Sequence, residues 1–235
     1  LCVFGLFGPK SRDLIKTISK DNFDNENFKF STAKNITIEG ITIWAQRLSY
    51  VGELGFELYV KFNDAKKIYE LLIEKGKDFN LSNCGMHAMD IMRMESGFLH
   101  WGHDISPEEN QYQAGLSFVI SSKKDVDFIG KKAIEKIKKE KIKSRFAMFT
   151  LKESEPGKPL LLHDEPIYVN EKIIGRTTSG NYSFNFNKNL AFGYINSKFS
   201  MKEILNKNLY IEVEKKKYAA SIILKPLNSK SIRSL

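Results

Sequence analysis

A carboxylate between two glycines interrupts a strand pattern at residues 49–58, and this stretch constrains the fold most strongly. Apolar and polar residues alternate along it, as they do in a half-buried β-strand. An ordinary core strand needs neither Gly52 nor Gly55, because glycine serves positions where the backbone turns tightly or approaches another group closely. Glu53 lies between them. Two interpretations stay open: a solvated glycine-rich turn, or a bend that presents a hydrogen-bond acceptor to a ligand.

Length and composition indicate a globular protein with room for one large or two modest domains. The chain has 235 residues, and 42% of them are hydrophobic. No apolar run approaches the roughly 18 residues that a membrane span requires. The two cysteines, Cys2 and Cys84, are too few and too far apart for a disulfide framework or a zinc site. We therefore expect a reducing, cytoplasmic location and no membrane partner.

The net charge of +9 comes almost entirely from lysine, which suits anionic ligands and raises the question of nucleic-acid binding. The densest basic run, residues 131–143, is interrupted by apolar residues at helical spacing, and no aromatic residue interleaves it for base stacking. This pattern is typical of the solvated face of an amphipathic helix. We therefore expect no nucleic-acid partner.

Strands and helices are mixed in the first half of the chain, without the regular order of a β-α-β protein. The patterns predict a strand over residues 1–9, a helix over 9–19, a hairpin of 36–38 and 41–44 around Glu39-Gly40, a strand over 55–60, a helix capped by Asp64 and ending at Gly76, and a helix over 84–97. This mixture predicts an α+β fold. The apolar start at Leu1, without an initiator methionine, leads us to expect that further sequence precedes it in the native protein.

From Ser144 onward the pattern changes to short strands separated by Gly, Asn and Pro turns. The predicted strands cover residues 146–151, 166–169, 172–178, 191–195, 209–214 and 218–224. Such spacing is typical of a small antiparallel barrel or sandwich. The basic helix before Ser144 is the predicted linker, so we expect a body over residues 1–139 and a β-domain over 140–235.

Two polar clusters are candidates for chemistry. Asp90 and Arg93 are spaced to pair along a helix, and the simplest interpretation is a surface ion pair. His100-x-x-His103-Asp104 invites a metal interpretation, but no further cluster of His or Cys supplies the remaining ligands, so we expect no metal. There is no G-x-S-x-G, P-loop or G-x-G-x-x-G motif either. The sequence motifs alone therefore do not identify a reaction.

Seven short motifs occur in order along the whole chain. They are Gly-Pro-Lys-Ser from residue 8, Tyr-Val-Gly-Glu-Leu-Gly-Phe-Glu from 50, Arg-Met-Glu-Ser-Gly from 93, Asp-Phe-Ile-Gly-Lys from 127, Thr-Ser-Gly from 178, Ala-Phe-Gly-Tyr from 191 and Pro-Leu from 226. Together they resemble the folate-dependent aminomethyltransferase family, meaning the T-protein of the glycine cleavage system and the homologous C-terminal part of dimethylglycine and sarcosine dehydrogenases. The His-Trp-Gly-His-Asp segment from residue 100 is more similar to the dehydrogenase branch.

The resemblance implies a ferredoxin-like body, incomplete at its N-terminus, followed by a small C-terminal antiparallel β-barrel. It implies tetrahydrofolate as the cofactor, bound in a central channel. It also implies an N-methyl or aminomethyl compound as the small-molecule partner. The one-carbon unit passes to tetrahydrofolate from an aminomethyl or imine donor, which gives 5,10-methylenetetrahydrofolate. A lipoyl carrier protein or a flavin dehydrogenase domain is the implied macromolecular partner.

The same resemblance implies roles for individual residues. Glu53 matches the family's glutamate on the pterin ring, Tyr50 lines the channel beside it, and Arg233 meets the anionic glutamate tail of the folate. Met89 departs from the family, which often has arginine there for tail binding. The family's catalytic aspartate belongs to a segment before the position that matches Leu1, so no catalytic residue is predicted. The alternative is a non-catalytic folate-binding or regulatory module.

Overall fold

The structure, a computed structural model, describes residues 1–121, 126–196, 198, 204–205, 207–231 and 235. Spatial contacts divide the chain into two compact units. The first unit is Leu1–Ser96 with Asn228–Leu235, and the second unit is Gly97–Leu227. The units are defined by spatial contacts, whereas the domain boundary expected between residues 139 and 140 was inferred from a change in the sequence pattern. That boundary stays a prediction.

A four-stranded antiparallel sheet lies at the centre of the first unit. Its strands follow the order β1-β4-β3-β2, and they are β1 (Cys2–Phe7), β2 (Ala33–Ile38), β3 (Ile41–Gln46) and β4 (Gly55–Val60). Burial alternates along β2 and β3, as the period-two pattern predicts. The sheet therefore has one face in the core and one open face, on which Val3 and Trp44 are exposed.

Two helices, α1 (Ser11–Ile18) and α2 (Phe62–Gly76), cover the core face of the sheet. Leu14, Ile15 and Ile18 form the buried stripe of α1 because their spacing places them on one side of the helix. A third helix, α3 (Met86–Glu95), lies at the end of the Leu1–Ser96 segment of the first unit. The helix over 84–97 is thus confirmed, with slightly shorter bounds.

The hairpin at Glu39-Gly40 is confirmed, and Ile38 pairs directly with Ile41 across it. Both turn residues have positive φ, +48° and +76°, as a two-residue turn of type I′ requires. The predicted cap at Asp64 is wrong. Helix α2 begins at Phe62 after Lys61 without a side-chain cap, and Asp64 lies within its first turn. A carboxylate there still interacts favourably with the positive end of the helix.

The second unit contains a closed six-stranded antiparallel barrel, so the sandwich alternative is excluded. Its strands follow the order β10-β5-β8-β7-β6-β9, and they are β5 (Ser144–Leu151), β6 (Pro166–Val169), β7 (Lys172–Ser183), β8 (Lys188–Asn196), β9 (Leu209–Val213) and β10 (Lys216–Ile223). The basic helix α4 (Lys131–Lys139) precedes them. The predicted α+β class with a C-terminal β-barrel is therefore confirmed. In the described part of the chain, no helix has the length and apolarity to cross a membrane.

Candidate functional site

The bend between β3 and β4, residues 47–54, is attached at one side to the end of α3. The carbonyl oxygen of Gly52 accepts a hydrogen bond from Asn228 Nδ2 at 3.3 Å, and the same amide also donates to Ser96 Oγ at 3.3 Å. The backbone N–H of Asn228 donates to the Glu95 carbonyl at 2.7 Å. Asn228 therefore joins the C-terminal segment to both the bend and the end of α3.

The other side of the bend is attached to the start of α1. The Leu54 carbonyl accepts a hydrogen bond from the backbone N–H of Gly8 at 2.8 Å and a second one from Ser11 Oγ at 3.2 Å. Ser11 is buried, so this bond also satisfies a hydroxyl that has left water. Because the carbonyls on both sides of Glu53 are hydrogen-bonded, the backbone that carries Glu53 is fixed.

The two glycines on either side of Glu53, Gly52 in the bend and Gly55 at the start of β4, leave room for side chains of the protein itself. Gly52 has φ +73°, and a Cβ atom there would lie 1.9 Å from Ser96 Oγ. A Cβ atom on Gly55 would lie 2.2 Å from Cδ1 of Phe7, whose residue pairs with Gly55 across the sheet. The tight turn expected at Gly52 is therefore present. The space that these glycines create is filled by Ser96 and Phe7.

Glu53 is half-buried at the centre of this fixed bend. Across the described residues, its carboxylate has neither a hydrogen-bond partner nor an ion pair. Tyr50, three residues earlier, is also half-buried. The structure thus brings two of the three predicted site residues into one segment. Arg233, the third, lies outside the described residues.

A second carboxylate, Glu57, lies on the open face of the sheet and was not among the predicted site residues. It pairs with Gly5 in β1 and Gln46 in β3, and its Oε2 accepts a hydrogen bond from the Tyr59 hydroxyl at 2.8 Å. The Tyr59 ring lies 5.0 Å from the ring of the exposed Trp44. The period of the strand could have indicated this pair, because residues two apart, such as Glu57 and Tyr59, lie on the same face.

The Asp90–Arg93 pair is present, but the prediction of a surface ion pair is wrong. Arg93 Nη2 and Nε lie 2.8 and 2.9 Å from Asp90 Oδ1, and the Arg93 side chain is only 1% exposed. A buried guanidinium needs such a partner, because an uncompensated charge in the interior is costly. Met89 lies half-buried on the same helix.

In the second unit, Asp104 holds the loop of residues 100–104 onto the barrel. The carboxylate is 1% exposed, and its Oδ1 accepts hydrogen bonds from Thr178 Oγ1 at 2.5 Å and Ser179 Oγ at 2.8 Å. Its Oδ2 accepts a third from the His100 backbone N–H at 2.9 Å. The carboxylate that a metal interpretation requires is therefore engaged in hydrogen bonds within the protein. Among the described residues, no cluster of three His, Cys, Asp or Glu side chains can hold a metal ion.

A β-bulge explains why two consecutive residues reach one carboxylate. Neighbouring side chains of a regular strand point to opposite faces. In β7 the register shifts between Thr177, which pairs with Gly193, and Ser179, which pairs with Phe192. Thr178 is the extra residue, and a bulge of this kind changes the direction of a side chain. This arrangement depends on strand register, so no local sequence pattern predicts it.

Tyr194 attaches the same loop through the backbone. Its hydroxyl donates a hydrogen bond to the Asp104 carbonyl at 2.8 Å. Burial raises the pKa of Tyr194 well above its usual value, and the negative charges of Glu109 and Asp104 raise it further. The phenol therefore stays protonated and keeps donating this hydrogen bond over the ordinary pH range.

Two family models match separate parts of the chain. The family described as the GCVT N-terminal domain matches residues 1–124, and the glycine cleavage T-protein C-terminal barrel domain matches residues 145–228. The chain belongs to the glycine cleavage T-protein family. This confirms the resemblance drawn from the seven motifs.

Relatives of the chain include dehydrogenases and aminomethyltransferases. Human mitochondrial dimethylglycine dehydrogenase is 34% identical over 227 residues, which cover 97% of this chain and 26% of the dehydrogenase. The aminomethyltransferase of Symbiobacterium thermophilum is 33% identical over 196 residues, which cover 83% of this chain and 51% of that protein. The chain thus spans about a quarter of the dehydrogenase and half of the transferase.

A solved structure shares the fold. The glycine cleavage system aminomethyltransferase T from Bartonella henselae superposes with a TM-score of 0.80 at 21% sequence identity, over 98% of this chain and 60% of that one. At this level of identity the similarity concerns the fold. It agrees with a mixed α and β body followed by an antiparallel barrel.

Proposed function

We propose that the chain binds tetrahydrofolate and takes part in the transfer of a one-carbon unit to it. The donor is an aminomethyl compound, or the imine that a flavin dehydrogenase domain forms by two-electron oxidation of an N-methyl compound, and the product is 5,10-methylenetetrahydrofolate. Membership of the glycine cleavage T-protein family supports this function, as do relatives named aminomethyltransferase and dimethylglycine dehydrogenase. The observation that carries the proposal is Glu53, an acceptor without a protein partner in the described structure, on a bend fixed at both sides.

In this proposal Glu53 accepts two parallel N–H bonds from the aminopyrimidine edge of the pterin. A charged acceptor in a bidentate arrangement gives strong and directional hydrogen bonds. Tyr50 lines the binding channel beside the pterin, and Arg233 attracts the negatively charged glutamate tail. A fixed backbone around Glu53 favours binding because little freedom is lost when the ligand arrives.

Glu57 offers a second carboxylate for the pterin edge. One of its oxygens already accepts a hydrogen bond from Tyr59, and the other can accept from a ligand. The adjacent Trp44 ring is exposed, and an aromatic ring of this kind can stack on a planar ligand. Changing each glutamate separately to glutamine distinguishes the two carboxylates, because glutamine keeps the shape of the side chain and removes its charge.

The coverage of the relatives suggests a place for this chain in a larger enzyme. Almost the whole chain matches only 26% of a dimethylglycine dehydrogenase, so we propose that it acts as the folate-binding part of a flavin dehydrogenase for an N-methylated glycine. In the T-protein arrangement, a lipoyl carrier protein is the partner instead. We further propose a folate-binding body over residues 1–139, a barrel over 140–235, and a cytoplasmic location.

Met89 favours a second candidate function, a non-catalytic folate-binding or regulatory module. The family often has arginine at this position for the folate tail, and methionine offers no charge to a carboxylate. The two functions differ in one observable. A transferase forms 5,10-methylenetetrahydrofolate from the donor, whereas a module binds tetrahydrofolate and leaves the donor unchanged.

A fluorescence titration with tetrahydrofolate tests the proposed function. Trp44 lies on the open face of the sheet in the first unit, so we expect saturable quenching of its emission. A chain with Trp101→Phe isolates this signal, since the sequence has only two tryptophans. The matched control ligand is p-aminobenzoylglutamate, which lacks the pterin and should bind much more weakly. Absence of saturable binding by a folded chain contradicts the proposal.

A further inference from the structure

The open face of the four-stranded sheet has one charged side chain within its strands, that of Glu57. Side chains of a strand alternate between the two faces, and the strand pairing places Glu57 beside Gly5 in β1 and Gln46 in β3. Apart from the tyrosine hydroxyl that bonds to Glu57, the other polar side chains of this face are neutral amides and hydroxyls, those of Asn35, Thr37, Thr42 and Gln46. In a chain of net charge +9, this face therefore carries a negative charge and no positive one within the sheet.

The Glu57 carboxylate is held in place and still has acceptor capacity. Its Oε2 accepts the hydrogen bond from the Tyr59 hydroxyl at 2.8 Å, and this bond is the main reason why the pKa of Tyr59 lies above its usual value. A carboxylate has about four lone-pair sites, so Oε1 stays open to a ligand. Across the described residues, Glu57 has no cationic partner, and the amide of Gln46 beside it has no hydrogen-bond partner.

Two aromatic rings lie on one side of this carboxylate. Trp44 and Tyr59 pair directly between β3 and β4, and their ring centroids are 5.0 Å apart. The planes of the two rings are inclined by 49°, so a small group above the pair can contact both rings. Trp44 is exposed and Tyr59 is half-buried, so the pair is open to a ligand.

A third aromatic ring, that of Phe7, lies on the other side of the carboxylate. A Cβ atom on Gly5 would clash with Cε2 of this ring, and a Cβ atom on Gly55 would clash with its Cδ1. Gly5 pairs with Glu57 across the sheet, and Gly55 precedes Glu57 by two residues on the same face. The two glycines thus allow the Phe7 ring to lie against the sheet beside Glu57, on the side opposite to Tyr59.

We propose that the open face of the first unit binds a methylated ammonium ion at Glu57. The carboxylate compensates the charge of the ion, and the rings of Trp44, Tyr59 and Phe7 contact its methyl groups. The face of an aromatic ring attracts a cation, and it suits a methylated ammonium because such an ion is weakly hydrated. A metal ion fits less well, since it needs several oxygen ligands and the rings supply none. This inference is independent of the proposed folate site, which rests on Glu53.

A titration with trimethylammonium chloride, in the absence of tetrahydrofolate, tests the site directly. The Trp101→Phe chain leaves Trp44 as the fluorescent reporter, and sodium chloride keeps the ionic strength constant. We expect a saturable change of the Trp44 emission with a dissociation constant of roughly millimolar order, as suits so small a ligand. tert-Butanol, a neutral molecule of similar size, should bind at least about tenfold more weakly. No saturable change, or an equal response to tert-butanol, would overturn the proposal.

Two variants separate the contribution of the charge from that of the rings. Glu57→Gln keeps an acceptor for the Tyr59 hydroxyl and removes the charge, so we expect the affinity to fall at least about tenfold. Trp44→Leu removes one exposed ring and should weaken binding about threefold or more, measured by the upfield shift that ring currents give the methyl protons of the ion. Glu39→Gln, which alters an exposed hairpin residue, is the control and should bind with full affinity. Full affinity in Glu57→Gln would overturn the proposal.

Competition by ammonium chloride shows whether the site selects a methylated ion. Ammonium has the same charge but is strongly hydrated, so we expect it to displace trimethylammonium only at a much higher concentration. Equal competition by the two ions would show that the carboxylate alone attracts cations, and it would overturn the role of the rings. Because folate is absent, this outcome leaves the proposed folate function untouched. Conversely, failure of tetrahydrofolate to bind leaves the ammonium site untouched.

Discussion

Gly52 lies so close to Ser96 that a Cβ atom on residue 52 would be 1.9 Å from the Ser96 hydroxyl oxygen. The φ angle of Gly52 is +73°, in the region that side chains rarely adopt. Backbone conformation and close approach therefore require glycine at the same position. This contact holds the bend that carries Glu53 against the end of α3.

Replacing Gly52 with alanine is expected to destabilise the first unit by about 3 kcal/mol. The left-handed conformation contributes about 1–2 kcal/mol, and the clash with Ser96 adds about 1–3 kcal/mol. Gly40→Ala is the matched control, because Gly40 has φ +76° and nothing within 4 Å of the added Cβ atom. Denaturant unfolding followed by Trp44 fluorescence measures both variants. Equal losses would mean that the Ser96 contact costs nothing.

Asp104→Ala is expected to destabilise the barrel by about 3 kcal/mol, since it leaves buried donors without an acceptor. Ser179, one of these donors, is only 6% exposed. Asp104→Asn keeps one acceptor oxygen and should lose less. Asp127→Ala is the control, because Asp127 is exposed and bonds only to the neighbouring Phe128 N–H among the described residues. We expect a change below about 0.5 kcal/mol for it. Similar losses for the two alanine variants would contradict the role of Asp104.

The raised pKa of Tyr194 predicts a loss of stability in alkaline solution. In the unfolded chain a tyrosine ionises at about pH 10, whereas in the folded chain Tyr194 holds its proton to higher pH. The unfolded state then binds fewer protons, so this contribution is complete below about pH 10 and is lost as the pH rises through the folded pKa. Stability should therefore fall more steeply above about pH 10 in the wild type than in Tyr194→Phe.

Denaturant unfolding at a series of alkaline pH values measures this difference. Tyr210→Phe, which removes a phenol from the same barrel, is the control. Tyr194→Phe also lacks the hydrogen bond to Asp104, so the pH dependence is the informative quantity rather than the stability at neutral pH. Parallel pH profiles for the wild type and Tyr194→Phe would show that Tyr194 titrates normally.

Local patterns predicted most of the fold because the signals lie within a few residues. The bounds of β4 and the turn at Glu39-Gly40 follow from period-two alternation and from glycine at positive φ. Capping was harder to predict: Asp64 has the residue type of a cap, yet α2 begins two residues before it. Whether a helix starts one turn earlier depends on packing, and the sequence pattern does not contain that information.

The candidate site was predictable only as a segment. The motif around residue 50 indicated a bend with a carboxylate, and the structure has that bend. Its attachment through Asn228, 176 residues from Gly52, depends on tertiary contacts. The same holds for Asp104 and Ser179, which are 75 residues apart and meet through a β-bulge. Such partners are fixed by register and chain path, neither of which appears as a local pattern.

The central claim, that Glu53 binds the pterin of tetrahydrofolate, is tested most directly by calorimetric titration of four chains with tetrahydrofolate. These are the wild type, Glu53→Gln, Glu57→Gln and the control Glu39→Gln, which alters an exposed hairpin residue. We expect saturable binding by the wild type and by Glu39→Gln. Glu53→Gln should bind at least about tenfold more weakly, which corresponds to about 1.4 kcal/mol. Full affinity in Glu53→Gln would contradict the claim, and its loss in Glu57→Gln alone would assign the pterin to Glu57.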